Sequence, residues 1–329
     1  MSSTPRTRFR LPTGRGNGAG RNARGGVGDR VLYALCALAG LAATFVLIDV
    51  VYQVIHGADP AISRFGLGFL VHSRWAPNFN IFGATQAIYG TVVSSLMALV
   101  VAAPLGIAIG LYLSLMAPPA VRAVVGPLVE MLAAIPSVIV GFWGVDVLAP
   151  FVAHHLEPGL HSVLGFIPLF GAPQTTGLSV FSAGLVLTLM VLPIIAALSR
   201  DLFLTVPPEL RDGAAALGAT RWEIIRGVVL PSTVSGIAAA TVLGLGRALG
   251  EAIAVLQVIG DGSSTHSSLF LPGISLASRI ANEFNSPESK LHVPSLFYLA
   301  LILLAMGLGT SLLARAIAGR FDVQRTLAR

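Results

Sequence analysis

Two charged residues, Arg247 and Glu251, lie four positions apart within a long apolar stretch of the sequence. Residues with this spacing share one face of a helix. A charge at the centre of a bilayer costs about 3 kcal/mol on insertion scales, so it normally faces a partner or a water-filled cavity. A guanidinium suits phosphate-type oxygens because it offers five N–H donors. The pair therefore predicts either an ion pair between helices or an anion pathway.

The remaining reactive side chains form weaker patterns. Three histidines and an acid lie close together at His154, His155, Glu157 and His161. A His-x-x-Glu fragment is a weak metal signal, and no two of these histidines have the helical spacing of four, so we expect a solvated loop and no metal site. The sequence has no Gly-x-Ser-x-Gly run and no Gly-x-x-x-x-Gly-Lys-Ser/Thr run. We expect a chain that is not an enzyme and binds no cofactor.

The composition sets the class of protein. Only 11% of the 329 residues are charged, and the mean hydropathy is +0.81. These values are far too apolar for a soluble domain and predict a membrane protein. A single cysteine, Cys36, allows no internal disulfide and no cysteine-based metal site. The net charge of +6 does not favour nucleic-acid binding, because no soluble domain is present to carry it.

Six apolar stretches are each long enough to cross a hydrocarbon core of about 30 Å. They are predicted at residues 31–55, 88–115, 124–149, 180–203, 233–259 and 293–316. Residues 1–30 hold seven arginines and one acid without apolar periodicity, which predicts a disordered basic tail. Residues 321–329 form a second short tail. The interpretation is one six-helix membrane domain at 31–320, flanked by two tails.

Basic residues predict the orientation of these spans, because loops on the cytoplasmic side carry more lysine and arginine. With the N-terminus in the cytoplasm, sixteen basic residues fall on the inner side and four on the outer side. Both termini are therefore predicted to be cytoplasmic. The segment between the fourth and fifth spans then lies in the cytoplasm as well.

That segment, residues 206–231, is the one long polar passage between two membrane-length apolar runs. Prolines at its start suit a first helical turn. Gly218 ends the first pattern, and Thr220 stands three residues before Glu223, which predicts a capping box and a second helix. Pro231 is predicted to mark the next helix boundary. The 206–231 segment should thus be two short helices with a bend.

The 206–231 segment resembles the EAA loop of ABC importer permeases. That loop has Glu-Ala-Ala, a Gly four residues later, and Ile-x-Leu-Pro ten residues beyond the Gly. This chain keeps the spacing and has Asp for Glu, Gly for the first Ala and Val for Ile. The resemblance implies a coupling helix that docks in a groove of an ATPase subunit, whereas an amphipathic loop lying on the membrane surface is the alternative. The residues it assigns to coupling are Asp212, Gly213, Ala214, Gly218, Val228, Leu230 and Pro231.

Nearly everything after residue 80 also resembles the PstC family of phosphate importer permeases. The similar stretches are Phe82-Gly83, residues 88–91, 135–138, 141–144, 192–196, 199–201, 246–251 and 281–284. The run Gly-Arg-Ala-Leu-Gly-Glu at 246–251 is more similar to this subunit than to its sister permease, PstA. The arginine-rich tail and Asp146 lie outside the resemblance.

The resemblance implies an all-α membrane protein with the type I ABC importer (MetI-like) permease fold, multi-pass in the inner membrane. Its implied partners are a PstA-like permease as a heterodimer, a PstB-like ATPase dimer and a PstS-like phosphate-binding protein. Inorganic phosphate is the implied substrate, and ATP and Mg belong to the partner ATPase. Arg247 and Glu251 are the implied residues of the substrate pathway.

Two other functions remain open from the residues themselves. A permease of a related oxyanion importer, for sulfate, molybdate or phosphonate, would share the 206–231 segment and differ only along the pathway. An ion-driven secondary transporter could use an intramembrane Arg–Glu pair for proton coupling. Such a transporter would not need the 206–231 segment, so transport without an ATPase subunit would favour it.

Overall fold

The computed structural model describes residues 27–262 and 267–320. The chain divides into two compact units, residues 1–52 and 53–329. The helices and turns of the described residues confirm the predicted all-α class. Within the described residues, six helices are long and apolar enough to cross a membrane by length and composition, which confirms the predicted number of spans. The predicted tail at 321–329 and most of the predicted tail at 1–30 lie outside the described residues.

The helices are named here in chain order. They are α1 (Val27–Phe65), α2 (Gly68–Val71), α3 (Thr85–Met116), α4 (Pro119–Ala133), α5 (Ser137–Leu164), α6 (Val180–Leu204), α7 (Pro208–Ala216), α8 (Arg221–Gly250), α9 (Ile253–Val258), α10 (Leu276–Glu283) and α11 (His292–Arg320). The six candidate spans belong to α1, α3, α5, α6, α8 and α11.

The first helix is longer than predicted at both ends. It begins at Val27 and runs to Phe65, although the sequence predicted a polar loop after residue 55. Its last turns remain helical because Ala58 and Ala61 are fully buried in an apolar cluster that includes Phe69 and Leu299. Burial of the apolar face of these turns therefore stabilises the helix, although the opposite face carries polar residues.

The predicted third span, residues 124–149, is wrong because the chain breaks within it. α4 ends at Ala133 and α5 begins at Ser137. Pro136 causes the break, since its ring disfavours helical geometry at the residue before it. The crossing helix is α5, which continues to Leu164. Much of the predicted solvated loop from Pro150 onward is therefore helical.

The fifth span also differs from its prediction of 233–259. Pro231 does not end a helix but lies inside α8, which runs unbroken from Arg221 to Gly250. A π-turn at Ile225–Val229 precedes the proline, and the Leu230 N–H bonds to the carbonyl of Ile225, five residues back. The wider turn accommodates a residue that has no N–H to donate and whose ring crowds the preceding turn.

The same device recurs along the described chain. Each of four π-turns ends two residues before a proline. The pairs are Tyr112–Met116 with Pro118, Gly144–Leu148 with Pro150, Val152–Leu156 with Pro158, and Ile225–Val229 with Pro231. Three of these prolines lie inside a continuous helix and one follows α3. The π-turns explain why prolines that predicted boundaries do not break α5 and α8.

The centre of the fold is the contact between α3 and α6, the most extensive between any two helices. Small residues recur every fourth position along one face of α3, and all of them are buried: Gly90, Ser94, Ala98, Ala102, Gly106 and Gly110. A row of small side chains lets two backbones approach closely in a membrane, where dispersion and not the hydrophobic effect drives association. At Gly110 an added Cβ would lie 2.8 Å from the carbonyl oxygen of Ala196 on α6.

Replacing Gly110 by valine should therefore separate α3 from α6. Overpacking of this kind costs about 1–3 kcal/mol, so we expect a lower unfolding temperature for Gly110→Val in detergent. Gly309→Val is the matched control, because Gly309 lies in α11 with nothing within 4 Å of an added Cβ. Equal unfolding temperatures for the two variants would contradict this account of the core.

Candidate functional site

Arg247 lies in the last turn of α8, and its side chain is exposed. The helix ends at Gly250, and Glu251 has extended backbone geometry, with φ −73° and ψ 119°. The prediction that Arg247 and Glu251 share one helix face is therefore wrong, because the helix stops before the acid. The structure nevertheless places both side chains in the wall of one cavity.

Arg247 lines two cavities. The first has a volume of about 410 Å³ and lies between α4, α5, α6 and α8. Its described lining is apolar apart from Arg247, and consists of Leu132, Ala133, Ile135, Ile139, Val140, Trp143, Leu189, Met190 and Arg247. The break between α4 and α5 forms part of this wall. An isolated guanidinium thus borders an otherwise apolar space.

The second cavity is wider, with a volume of about 800 Å³, and lies between α6, α8 and α11. It contains three charged side chains in its described lining, Arg247, Glu251 and Arg315. Ile194 of α6 and Ser311 of α11 also contribute to the wall. Two cations and one anion give this cavity a net positive charge, which favours a negatively charged occupant.

The two arginines of this second cavity have no protein partner among the described residues. Within the described residues, neither Arg247 nor Arg315 forms an ion pair or side-chain hydrogen bond. By contrast, Arg200 near the end of α6 pairs with Glu130 of α4 at 2.8 Å. That contact is a structural ion pair between α6 and α4. An arginine without a protein partner is available to a ligand.

A second group of charges lies at the other end of α11, and its members are all partnered. Arg279 is buried, lies 3.8 Å from the Glu283 carboxylate and stacks over the Trp75 ring at 4.7 Å. The Trp75 indole N–H donates to Glu283 at 2.8 Å. His292 accepts the backbone N–H of Glu288 at Nδ1, so its Nε2 donates to Glu283 at 2.7 Å. These contacts tie α10 to the start of α11.

Burial lowers the pKa of the Arg279 guanidinium, while the carboxylates of Glu283 and Asp261 oppose that shift. Arginine stays protonated at any physiological pH, so the shift measures desolvation and does not indicate titration. The cation is held by a carboxylate and an aromatic face. We therefore assign this group a structural role.

The histidines that lie close in sequence do not form a metal centre. His154, His155 and His161 lie along the second half of α5, and no group of three metal-binding side chains occurs in the described part of the chain. Glu157 is fully buried, contrary to its expected place in a solvated loop. Its carboxylate accepts the backbone N–H of Gln174 at 2.7 Å. This acid fastens α5 to the loop before α6.

The 206–231 segment has the predicted bend and caps. α7 ends at Ala216 with Leu217 as its C-cap, and Gly218 follows with φ +87°, a left-handed conformation that favours glycine. The N–H groups of Gly218 and Ala219 bond back to the carbonyls of Ala215 and Ala214, which is the Schellman pattern. The predicted capping box of Thr220 and Glu223 is present at the start of α8.

The base of the segment is anchored while its tip is exposed. Val206 and Val229 are buried together with Phe203 and Ile237, so both ends of the segment pack against the last turn of α6 and the first part of α8. At the tip, Leu217 is 91% exposed and Trp222 is 62% exposed. Large apolar side chains at the tip of a polar segment are typical of a docking surface.

The residues that the resemblance assigned to coupling are distributed over this segment. Asp212 and Gly213 are exposed on α7, and Ala214 is half-buried there. Gly218 forms the bend, whereas Val228 and Leu230 pack against the anchor and Pro231 is exposed within α8. Their role in coupling stays a prediction.

Three further residues escaped the sequence analysis. The sequence pattern placed Arg315 only among the sixteen basic residues on the predicted inner side. In the structure it lines the same cavity as Arg247. Leu217 and Trp222 were not singled out, although two large apolar residues beside a turn-forming glycine were a usable signal. Arg315 offered no such signal, because its position depends on how α11 packs against α8.

Comparison with known proteins agrees with this architecture. Residues 102–323 match the family described as "Binding-protein-dependent transport system inner membrane component". The phosphate transport system permease protein PstC of Pasteurella multocida is 44% identical over 262 residues, 78% of this chain and 81% of its own length. The protein of the same name from Mesorhizobium japonicum is 38% identical over 300 residues, 90% of this chain and 91% of its own.

A solved structure shares the fold. A chain of a bacterial alginate ABC transporter, solved with its pentasaccharide-bound periplasmic protein, superposes with a TM-score of 0.60. The match covers 89% of this chain and 95% of that chain at 17% sequence identity. At this identity the likeness concerns the fold alone.

Replacing Gly218 by alanine should loosen the bend of the 206–231 segment. An L-residue in the left-handed region costs about 1–2 kcal/mol, so local opening should become roughly ten times more frequent. We expect faster cleavage of Gly218→Ala by trypsin within the segment, which offers Arg211, Arg221 and Arg226. Gly213→Ala is the control, because Gly213 is helical and an added Cβ meets nothing. Equal cleavage rates would refute the assigned strain.

Proposed function

The chain belongs to the binding-protein-dependent transport system inner membrane component family, and from this membership we propose that it is the permease subunit of an ATP-driven phosphate importer. It is a multi-pass protein of the cell membrane and a non-catalytic transport subunit. Phosphate is the proposed cargo because relatives that are 44% and 38% identical to this chain over the aligned residues carry the name of phosphate permeases.

The observation that carries the proposal is the position of Arg247, unpaired and shared by both cavities. Phosphate that enters such a cavity loses part of its hydration shell, so it needs hydrogen-bond donors that replace the lost water molecules. A guanidinium with no protein partner supplies such donors in a fork that matches two phosphate oxygens. Glu251, in the same wall, offsets part of the positive charge, so that the anion is attracted without being held.

The importer family implies an ATPase and a binding protein as partners. We propose more specifically a PstA-like permease as the other half of the pathway, a PstB-like ATPase dimer and a PstS-like phosphate-binding protein. ATP hydrolysis would belong to the ATPase, which also binds Mg. The sequence supports this division, since it contains no Gly-x-x-x-x-Gly-Lys-Ser/Thr run.

The 206–231 segment is the proposed contact with the ATPase. Its apolar tip, Leu217 and Trp222, would enter a groove of that subunit, and its capped helices would move as one body. The anchor at Phe203 and Val229 joins the segment to α6 and α8, both of which line the cavities. Displacement of the segment thus reaches Arg247 through one continuous helix. This mechanism requires the segment and both termini to face the cytoplasm, as the distribution of basic residues favours.

Neutralising Arg247 should stop transport without dismantling the complex. The loss of two charged hydrogen bonds corresponds to about 100-fold in rate, so Arg247→Gln should show near-background phosphate uptake in proteoliposomes that contain the whole importer. Arg74→Gln is the control, an exposed arginine outside both cavities. Co-purification of the ATPase should be unchanged in both variants. Normal uptake by Arg247→Gln would remove this residue from the pathway.

The tip of the 206–231 segment gives an independent test. Leu217→Ser should lower the amount of ATPase that co-purifies with the permease, because it removes the most exposed large apolar side chain of the segment. Leu67→Ser is the control, since Leu67 is 78% exposed and lies between α1 and α2. If both variants retain the ATPase equally, the segment is not the docking surface.

A further inference from the structure

Arg315 lies in the last part of α11, five residues before the helix ends at Arg320. Its side chain is exposed into the wider cavity, whose wall it shares with Arg247. It forms no ion pair and no side-chain hydrogen bond within the described residues. Two unpaired guanidinium groups on different helices therefore border one space.

Two like charges that share a cavity repel each other. Two other arginines of the described chain have local partners instead: Arg200 pairs with Glu130, and the side chain of Arg122 donates to the Ser114 carbonyl at 2.8 Å. The cavity offers only one carboxylate, Glu251, for two guanidinium groups. The remaining positive charge calls for an anionic occupant.

We propose that Arg315 and Arg247 together form a two-arginine site for a phosphate-type oxyanion in the cavity between α6, α8 and α11. This inference rests on the proposed transport function and adds a second contact to it. The chemistry of the occupant is defined by the donors, because two planar forks suit a tetrahedral group with several charged oxygens. Arg315 lies nearer the end of the candidate span, so it marks the place where the anion leaves the membrane-spanning region.

The same donors could be occupied by free phosphate in transit or by the phosphate of an anionic lipid headgroup. Arginines near the end of a membrane helix commonly reach toward headgroups. Both sources present the same tetrahedral oxyanion, so the structure assigns the chemistry and an experiment must assign the source. The two sources differ in one respect, because the lipid can be omitted from the membrane.

The test is phosphate uptake by the whole importer in proteoliposomes of two compositions, zwitterionic phosphatidylcholine alone and the same lipid with phosphatidylglycerol. The variants are Arg315→Gln, Arg315→Lys and the control Arg30→Gln, an exposed arginine of α1 that does not line the cavity. Loss of one charged hydrogen-bonding group should lower uptake by Arg315→Gln about tenfold. Lysine should restore part of it, because it keeps the charge but not the fork.

A tenfold loss in both membranes would support the site with transported phosphate as its occupant. A loss seen only with phosphatidylglycerol would support the site with lipid phosphate as its occupant. Uptake equal to that of Arg30→Gln in both membranes would overturn the proposal, as would a loss of the sister permease from purified Arg315→Gln. If Arg247→Gln abolishes uptake while Arg315→Gln does not, the transport function stands and only this inference fails.

Discussion

α3 and α6 approach each other so closely that backbone atoms of α6 lie against the small residues of α3. A Cβ at Gly106 would be 3.1 Å from the Leu192 carbonyl, and one at Gly110 would be 2.8 Å from the Ala196 carbonyl. This contact fixes α6, which contributes Met190 to one cavity and Ile194 to the other. It also places the C-terminal end of α6 where the 206–231 segment is anchored. The two cavities and the segment thus share one support.

The charged residues between the helices fall into two groups, those that pair with another group of the protein and those that do not. Arg279 and Arg200 are both paired with acids: Arg279 pairs with Glu283 within α10, and Arg200 pairs with Glu130 across α6 and α4. Arg247, Glu251 and Arg315 share a cavity without pairing. In a membrane an unpaired charge is unfavourable, and a folded protein retains it when a ligand or water takes the place of the partner. The division separates the charges that the protein itself pairs from those that the proposed function assigns to the transported ion.

The sequence was sufficient for the number of spans, the capping box at Thr220 and the bend at Gly218, because each depends on local chemistry. Predictions from the sequence were wrong where tertiary packing determines where a helix begins or ends. Pro231 predicted a boundary, but a π-turn absorbs it. Glu251 was placed on a helix that ends one residue earlier, at a break that hydropathy does not register. The row of small side chains at every fourth position of α3 was visible in the sequence. The position of Arg315, in contrast, depends on a packing contact between helices that are distant in the sequence.

The π-turn at Ile225–Val229 also sets the direction, around the helix axis, of every side chain that follows it in α8. Each α-helical residue advances about 100° around the axis, so one additional residue within a turn changes the direction of all later side chains by that angle. The turn lies between the exposed tip of the 206–231 segment and Arg247. A chain of the same length that lacked the π-turn would therefore point its arginine into a different sector of the bundle. A chain one residue shorter that closed this turn as an ordinary α-helix would keep the direction of the arginine, so the π-turn is what accommodates the extra residue ahead of the proline.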